Sequence, residues 1–148
     1  LNCLTLIRAH LNTHAPELEL AVDVPFWWDN EEYVVQFEGS TERFVHHIQN
    51  RVDWIGIMSY RREANKIIRL VEDELLYASK HGHARSVAPS METSNIKGKE
   101  AHISFGGVPT EQFRVVLASL RSTYADNSII RCVMLHHYDS LRSYLNRD

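Results

Sequence analysis

The chain lacks the features that mark several protein classes. It has two cysteines, Cys3 and Cys132, near opposite ends of 148 residues and in no C-x-x-C pair. That spacing excludes a zinc ribbon and a disulfide framework, and both residues read as buried thiols. No apolar run reaches the roughly 18 residues of a spanning helix, and no signal peptide opens the sequence. A basic excess is also missing: 16 Lys and Arg face 19 Asp and Glu, for a net charge of -3. The balance gives no electrostatic footprint for nucleic acid or an anionic membrane. Nor does any strand lead into a G-x-G-x-x-G turn. This argues against a dinucleotide-binding Rossmann sheet or a flavodoxin-like one. The close pair Gly106-Gly107 lacks that spacing and reads as a flexible turn.

The chain has 44% hydrophobic residues, enough for one ordinary core, so its length argues for a single domain. Leu4, Ile7 and Leu11 recur at helical spacing up to Pro16. The pattern predicts strands over 19–27, 52–59, 85–91 and 129–135. Between and after them it predicts helices over 41–50, 64–81, 111–124 and 140–146. Lys80 and His81 suit the end of the long helix, and Gly82 can supply its left-handed cap. No hairpin signal such as Asn-Gly interrupts the alternation, which favours parallel strands joined by crossover helices.

Four strands end in polar or aromatic residues: Val22 to Asp29, Ile55 to Arg61, Ala88 to Thr93 and Val133 to Tyr138. Apolar strands with polar C-terminal ends and helices between them are how a (β/α) barrel builds an active-site rim. The expected fold class is therefore α/β, a (β/α) barrel of which residues 1–148 form one half with four parallel strands. Half a barrel leaves two strand edges open. The expectation is a domain truncated at its N-terminus, its edges covered by the missing N-terminal half-barrel or by self-association.

At these strand ends the sequence resembles glycoside-hydrolase-like TIM barrels, especially poorly characterised bacterial members of that superfamily. Nearly the whole chain is covered and corresponds to strands five to eight. Met58-Ser59-Tyr60 is similar to the M-x-Y segment that ends strand six in family 18 chitinase-like barrels, whose tyrosine faces the sugar. Arg61 stands where those enzymes carry Asp or Asn, and their D-x-x-D-x-D-x-E motif has no counterpart here. Glu92 looks like the nucleophile that ends strand seven in clan A glycosidases. The resemblance implies that the matching acid/base glutamate precedes Leu1.

Strand parity selects the same residues. With Val22, Val24, Ile55, Ile57, Val87, Val133 and Leu135 facing the helices, Asp23, Met58, Tyr60, Ser90, Glu92, Met134 and His136 point the other way. Asp23 and Glu92 then need a charged partner, a metal or access to water. The candidate catalytic group is Glu92, His136, Tyr60 and Asp23, since glycoside hydrolysis works through carboxylates flanking a sugar. Trp27, Trp28, Asp29, Arg61 and Tyr138 are candidate substrate contacts, flat rings being suited to the C–H faces of sugars. Of the two tryptophans, Trp28 is the one expected to pack beneath the helices, and Trp54 reads as core. His136-His137 cannot both face one central ion, because adjacent strand residues point oppositely. His46-His47 is expected on a solvated helix surface.

The expected function is a carbohydrate-active barrel, a glycoside hydrolase acting through a rim carboxylate, with a carbohydrate ligand as partner and no cofactor implied. An inactive carbohydrate-binding or scaffold barrel is the alternative. A metal-dependent hydrolase using His136, Asp23 and Glu92 is a weaker one.

Overall fold

The structure is a computed structural model that describes residues 1–146. Helix α1 (Asn2–His14) precedes strand β1 (Ala21–Val24), and the hairpin β2 (Val34–Phe37) and β3 (Ser40–Arg43) runs directly into α2 (Phe44–Gln49). There follow β4 (Trp54–Ile57), α3 (Ala64–Arg69), α4 (Glu72–His81), β5 (Val87–Glu92), α5 (Thr110–Thr123), β6 (Met134–His136) and α6 (Tyr138–Leu145).

β1, β4, β5 and β6 form one parallel sheet, in that spatial order. Such ladders need crossovers, and each successive pair is joined by helix. The register sets Val22 beside Ile55 and Ile55 beside Val87, and Val24 beside Ile57. Their side chains share a face. Val24, Ile55, Ile57, Val87 and Met91 are all fully buried there with Ile67, Val71 and Ala78 of the helical layer, and Phe113, Val116, Leu120 and Tyr144 join the same core. Burying each such side chain contributes about 1.5–3 kcal/mol, so this face holds the sheet to its helices.

The other face carries Asp23, Gly56, Ala88, Ser90, Glu92, Met134 and His136, as the pairs Asp23–Gly56, Gly56–Ala88, Ser90–Met134 and Glu92–His136 require. Gly56 is needed there. A Cβ at that position would run into the Asp23 carboxylate and the Met134 thioether. Asp23 itself is solvent-exposed, so of the charged partner, metal or water that its charge requires, water is what it has.

Several elements differ from the sequence expectation. The described residues form six strands rather than four, because β2 and β3 form a separate antiparallel hairpin. Its turn, Glu38-Gly39, takes positive φ at both residues, 48° and 83°, the geometry that matches strand twist, without the usual Asn. Residues 41–43 are accordingly strand, not helix. The expected helix over 64–81 is two helices, broken at Leu70-Val71. Glu72, Asp73 and Glu74 thereby fall in the first turn of α4, where the helix dipole favours anions, and Gly82 (φ 73°) caps its end. Pro25 lacks an N–H and ends β1 early, so Trp27 and Trp28 sit on a 3-10 turn (Phe26–Asp29). Cys3 and Cys132 are exposed, not buried. Among the described residues no helix is long and apolar enough to cross a membrane.

Candidate functional site

The C-terminal ends of the parallel strands carry a polar group centred on β5. Beyond Ile57 the β4–β5 ladder is completed by a side chain. Ser59 Oγ accepts from the Ser90 N–H (3.0 Å) and donates to the Ser90 carbonyl oxygen (3.2 Å), with both residues buried. This bond steadies the strand just before Glu92. On the other side the parallel register sets Glu92 opposite His136. The His136 ring approaches Glu92 Oε2 through Nδ1 at 2.6 Å, while the Ser94 backbone N–H donates to Oε1 at 2.5 Å. Burial pushes the Glu92 carboxyl pKa up, but the hydrogen bonds from Ser94 and His136 outweigh it and hold the group below its ordinary value. Glu92 is therefore an ionised carboxylate with both oxygens engaged.

Two further contacts fix this pair. The backbone N–H and the Oγ1 of Thr93 both donate to the His136 carbonyl oxygen, at 2.8 and 2.9 Å. Ser140 Oγ lies 2.7 Å from Thr93 Oγ1 and accepts from the His137 N–H, so the start of α6 is bound to the same strand ends. Above the pair, the Tyr60 ring centroid is 5.9 Å from that of His136. Burial first, then the negative charges of Glu92 and Asp23, push the Tyr60 hydroxyl up to about 12. It stays protonated and keeps its donor hydrogen across the physiological range.

The loop after Glu92 is built onto the site. Arg62 donates from Nε and Nη2 to the carbonyl oxygens of Ser104 and Ala101, and Ser104 Oγ contacts the carbonyl oxygens of Glu92 and Ser94. Gly106, expected in a flexible turn, is buried against the Ser94 backbone so closely that no Cβ would fit. The loop is thus a packed wall beside Glu92.

The candidate substrate contacts divide into two groups. Trp27 remains exposed and stands edge-on to Phe26 at 5.1 Å, and the Arg61 guanidinium lies 4.9 Å over the same Phe26 ring. Phe26 thus joins the rim ends of β1 and β4. Tyr138 is exposed at the first turn of α6, beside the end of β6. Trp28, in contrast, packs inward, edge-on to Phe44 of α2 at 4.8 Å. Asp29 belongs to a separate acidic group and not to the rim. Burial and the Asp73 charge raise its carboxyl, against Arg43 and His46.

That second group contains the histidines expected in solvent. His46 and His47 are buried, because the hairpin and α4 cover α2. His46 Nε2 meets Asp73 at 2.7 Å, Arg43 also donates to Asp73, and His47 Nε2 reaches the Val35 carbonyl oxygen at 3.1 Å. The His46 ring stacks on Tyr77 at 3.8 Å, and His81 stacks on the same ring at 4.0 Å. Trp54, read as core, is half-buried with the Arg131 guanidinium 5.1 Å over its ring.

Sequence reasoning passed over Ser59, Arg62, Thr93, Ser94, Ser104 and Ser140. Ser59 stands only at the variable position of the M-x-Y segment and the others in no motif, and each acts through a backbone group. Among the described residues no three His, Cys, Asp or Glu side chains come together as a metal-ligand set. No protein-family model matches the chain, and neither does any curated protein or solved structure.

Proposed function

We propose that the chain is the C-terminal half of a glycoside-hydrolase-like (β/α) barrel and that it is carbohydrate-active through the strand-end carboxylate Glu92. The observation that carries the reading is Glu92 itself, 4% exposed and held ionised at the end of β5. Buried, oriented carboxylates with perturbed pKa values at strand ends cluster at functional sites. The setting supports it: Tyr60 and His136 adjoin the carboxylate, and exposed Trp27 and Tyr138 flank the same end of the sheet. In this reading a second half, either a missing N-terminal half-barrel or another copy, covers the open edges of β1 and β6 and supplies the remaining machinery.

A second reading, carbohydrate binding without turnover, is favoured by one observation. Asp23, the other carboxylate on this face, is exposed rather than buried and oriented. The test is a panel of 4-nitrophenyl glycosides and neutral oligosaccharides offered to the chain over a range of protein concentrations, with sedimentation followed in parallel. Turnover that falls by at least about 100-fold on Glu92→Gln supports the hydrolase. Oligosaccharide binding without turnover, lost on Trp27→Ala, supports the binding module. Neither activity at any concentration overturns both readings for a site that a second copy of the chain completes.

A further inference from the structure

The Glu92–His136 pair is asymmetric in a way that assigns its roles. The Glu92 side chain is 5% exposed and both of its oxygens accept hydrogen bonds, whereas the His136 side chain is 54% exposed and, among the described residues, uses only Nδ1. The ionised carboxylate can only accept, so the hydrogen between them sits on Nδ1. In the neutral imidazole the lone pair is then on Nε2, at the far edge of the ring from Glu92. Thr93 fixes the His136 backbone through two bonds to its carbonyl oxygen, and the Tyr60 ring flanks the imidazole. The ring is held, its tautomer is set, and its basic nitrogen points away from the buried partner.

We propose that this site works as a carboxylate–histidine pair in which His136 Nε2 is the proton acceptor and Glu92 is a positioning residue acting through the imidazole. Nε2 removes a proton from a water molecule as the water oxygen bonds to the electrophilic carbon of the substrate. The bond to the leaving oxygen breaks with its electron pair. That oxygen takes a proton from solvent, and the imidazolium returns its own to solvent. Glu92 stabilises the imidazolium and holds the Nδ1–H tautomer, as the third member of a nucleophile–base–carboxylate arrangement does. The substrate class rests on the hydrolytic reading above, but the tautomer and the reactivity of Nε2 do not.

The experiment therefore begins without substrate. Long-range proton–nitrogen NMR of the full chain, at a pH where the imidazole is neutral, distinguishes the two ring nitrogens, with His136→Gln assigning the signal. The expected result is a protonated Nδ1 and a bare Nε2 for His136. In Glu92→Ala the proton moves largely to Nε2, while Glu92→Gln, which keeps an acceptor and the shape, retains part of the wild-type form. Diethyl pyrocarbonate should acylate His136 several-fold faster in the wild type than in Glu92→Ala. On any glycoside turned over, His136→Ala should lose activity at least about 100-fold and regain part of it with added imidazole. A protonated Nε2 in the wild type, or unchanged turnover in His136→Ala, overturns the proposal. So does recovery of Glu92→Ala by azide with formation of a glycosyl azide, since Glu92 would then be the nucleophile. Failure of the hydrolytic reading is distinguishable, as no glycoside would be turned over although tautomer and acylation are as expected.

Discussion

Arg62, on the turn after β4, donates to the carbonyl oxygen of Ser104, 42 residues further on in the loop after β5, and so joins two consecutive strand ends. The same guanidinium reaches Ala101, and Ser104 in turn bonds the Glu92 and Ser94 carbonyl oxygens. Charge-assisted bonds of this kind are each worth about 1.5–3 kcal/mol. Arg62→Ala should therefore speed hydrogen exchange across residues 93–108 and lower the melting temperature by several degrees. Arg62→Lys should recover part of the loss. Unchanged exchange in that segment would show that Gly106 and Ser104 hold the loop alone.

Glu74 sets a pH dependence of stability. It is buried, no other residue among those described hydrogen-bonds its carboxyl oxygens, and burial, reinforced by Asp29 and Asp73 nearby and opposed by its own backbone N–H, raises its pKa from 4.5 to about 8. Between those values the folded chain keeps a proton that the unfolded chain has released. This group therefore lowers stability progressively as pH rises from about 4.5 to about 8, on the order of 5 kcal/mol in all, and its effect is level above that. Glu74→Gln should flatten this segment of the curve and be the more stable protein at pH 9. Parallel denaturant curves for the two proteins across the window would disprove it.

Gly56→Ala should destabilise by about 1–3 kcal/mol, because the new methyl meets Asp23 of the adjacent β1 and the Met134 side chain reaching over from β6. Pairing the change with Met134→Ala should return part of the loss, a non-additivity that a denaturation cycle measures directly.

The outer edges of β1 and β6 pair with no strand among the described residues. Unpaired parallel edges of a sheet recruit other chains. The expected outcome is concentration-dependent association in sedimentation velocity, weakened by a proline at Cys132, which lies just before β6. A monodisperse monomer at high concentration would count against a half-barrel whose edges need covering.

Much of the sheet was legible because it rests on local pattern. Apolar bodies with polar ends marked the four parallel strands, and period two placed Asp23, Glu92 and His136 on the face away from the helices. The hairpin was not legible, since Glu38 takes a left-handed conformation that its residue type does not announce. The burial of His46 and His47 was hidden for a related reason. A six-residue helix has too few turns to show a face, and what covers it is a hairpin that the sequence did not signal. At the site, residue types indicated the carboxylate and the histidine. Their partners are backbone groups set by register and by loop packing, and no residue type reports those.

Because the parallel strands lie in chain order, the site has a direction in time. During synthesis β1, β4 and β5 can associate as each emerges, yet Glu92 has to wait for a histidine 44 residues further on. Until that last strand docks, the carboxylate has only the Ser94 amide. The Glu92–His136 pair thus forms only after the rest of the sheet, and a ribosome stalled before residue 136 would present an ordered sheet without it.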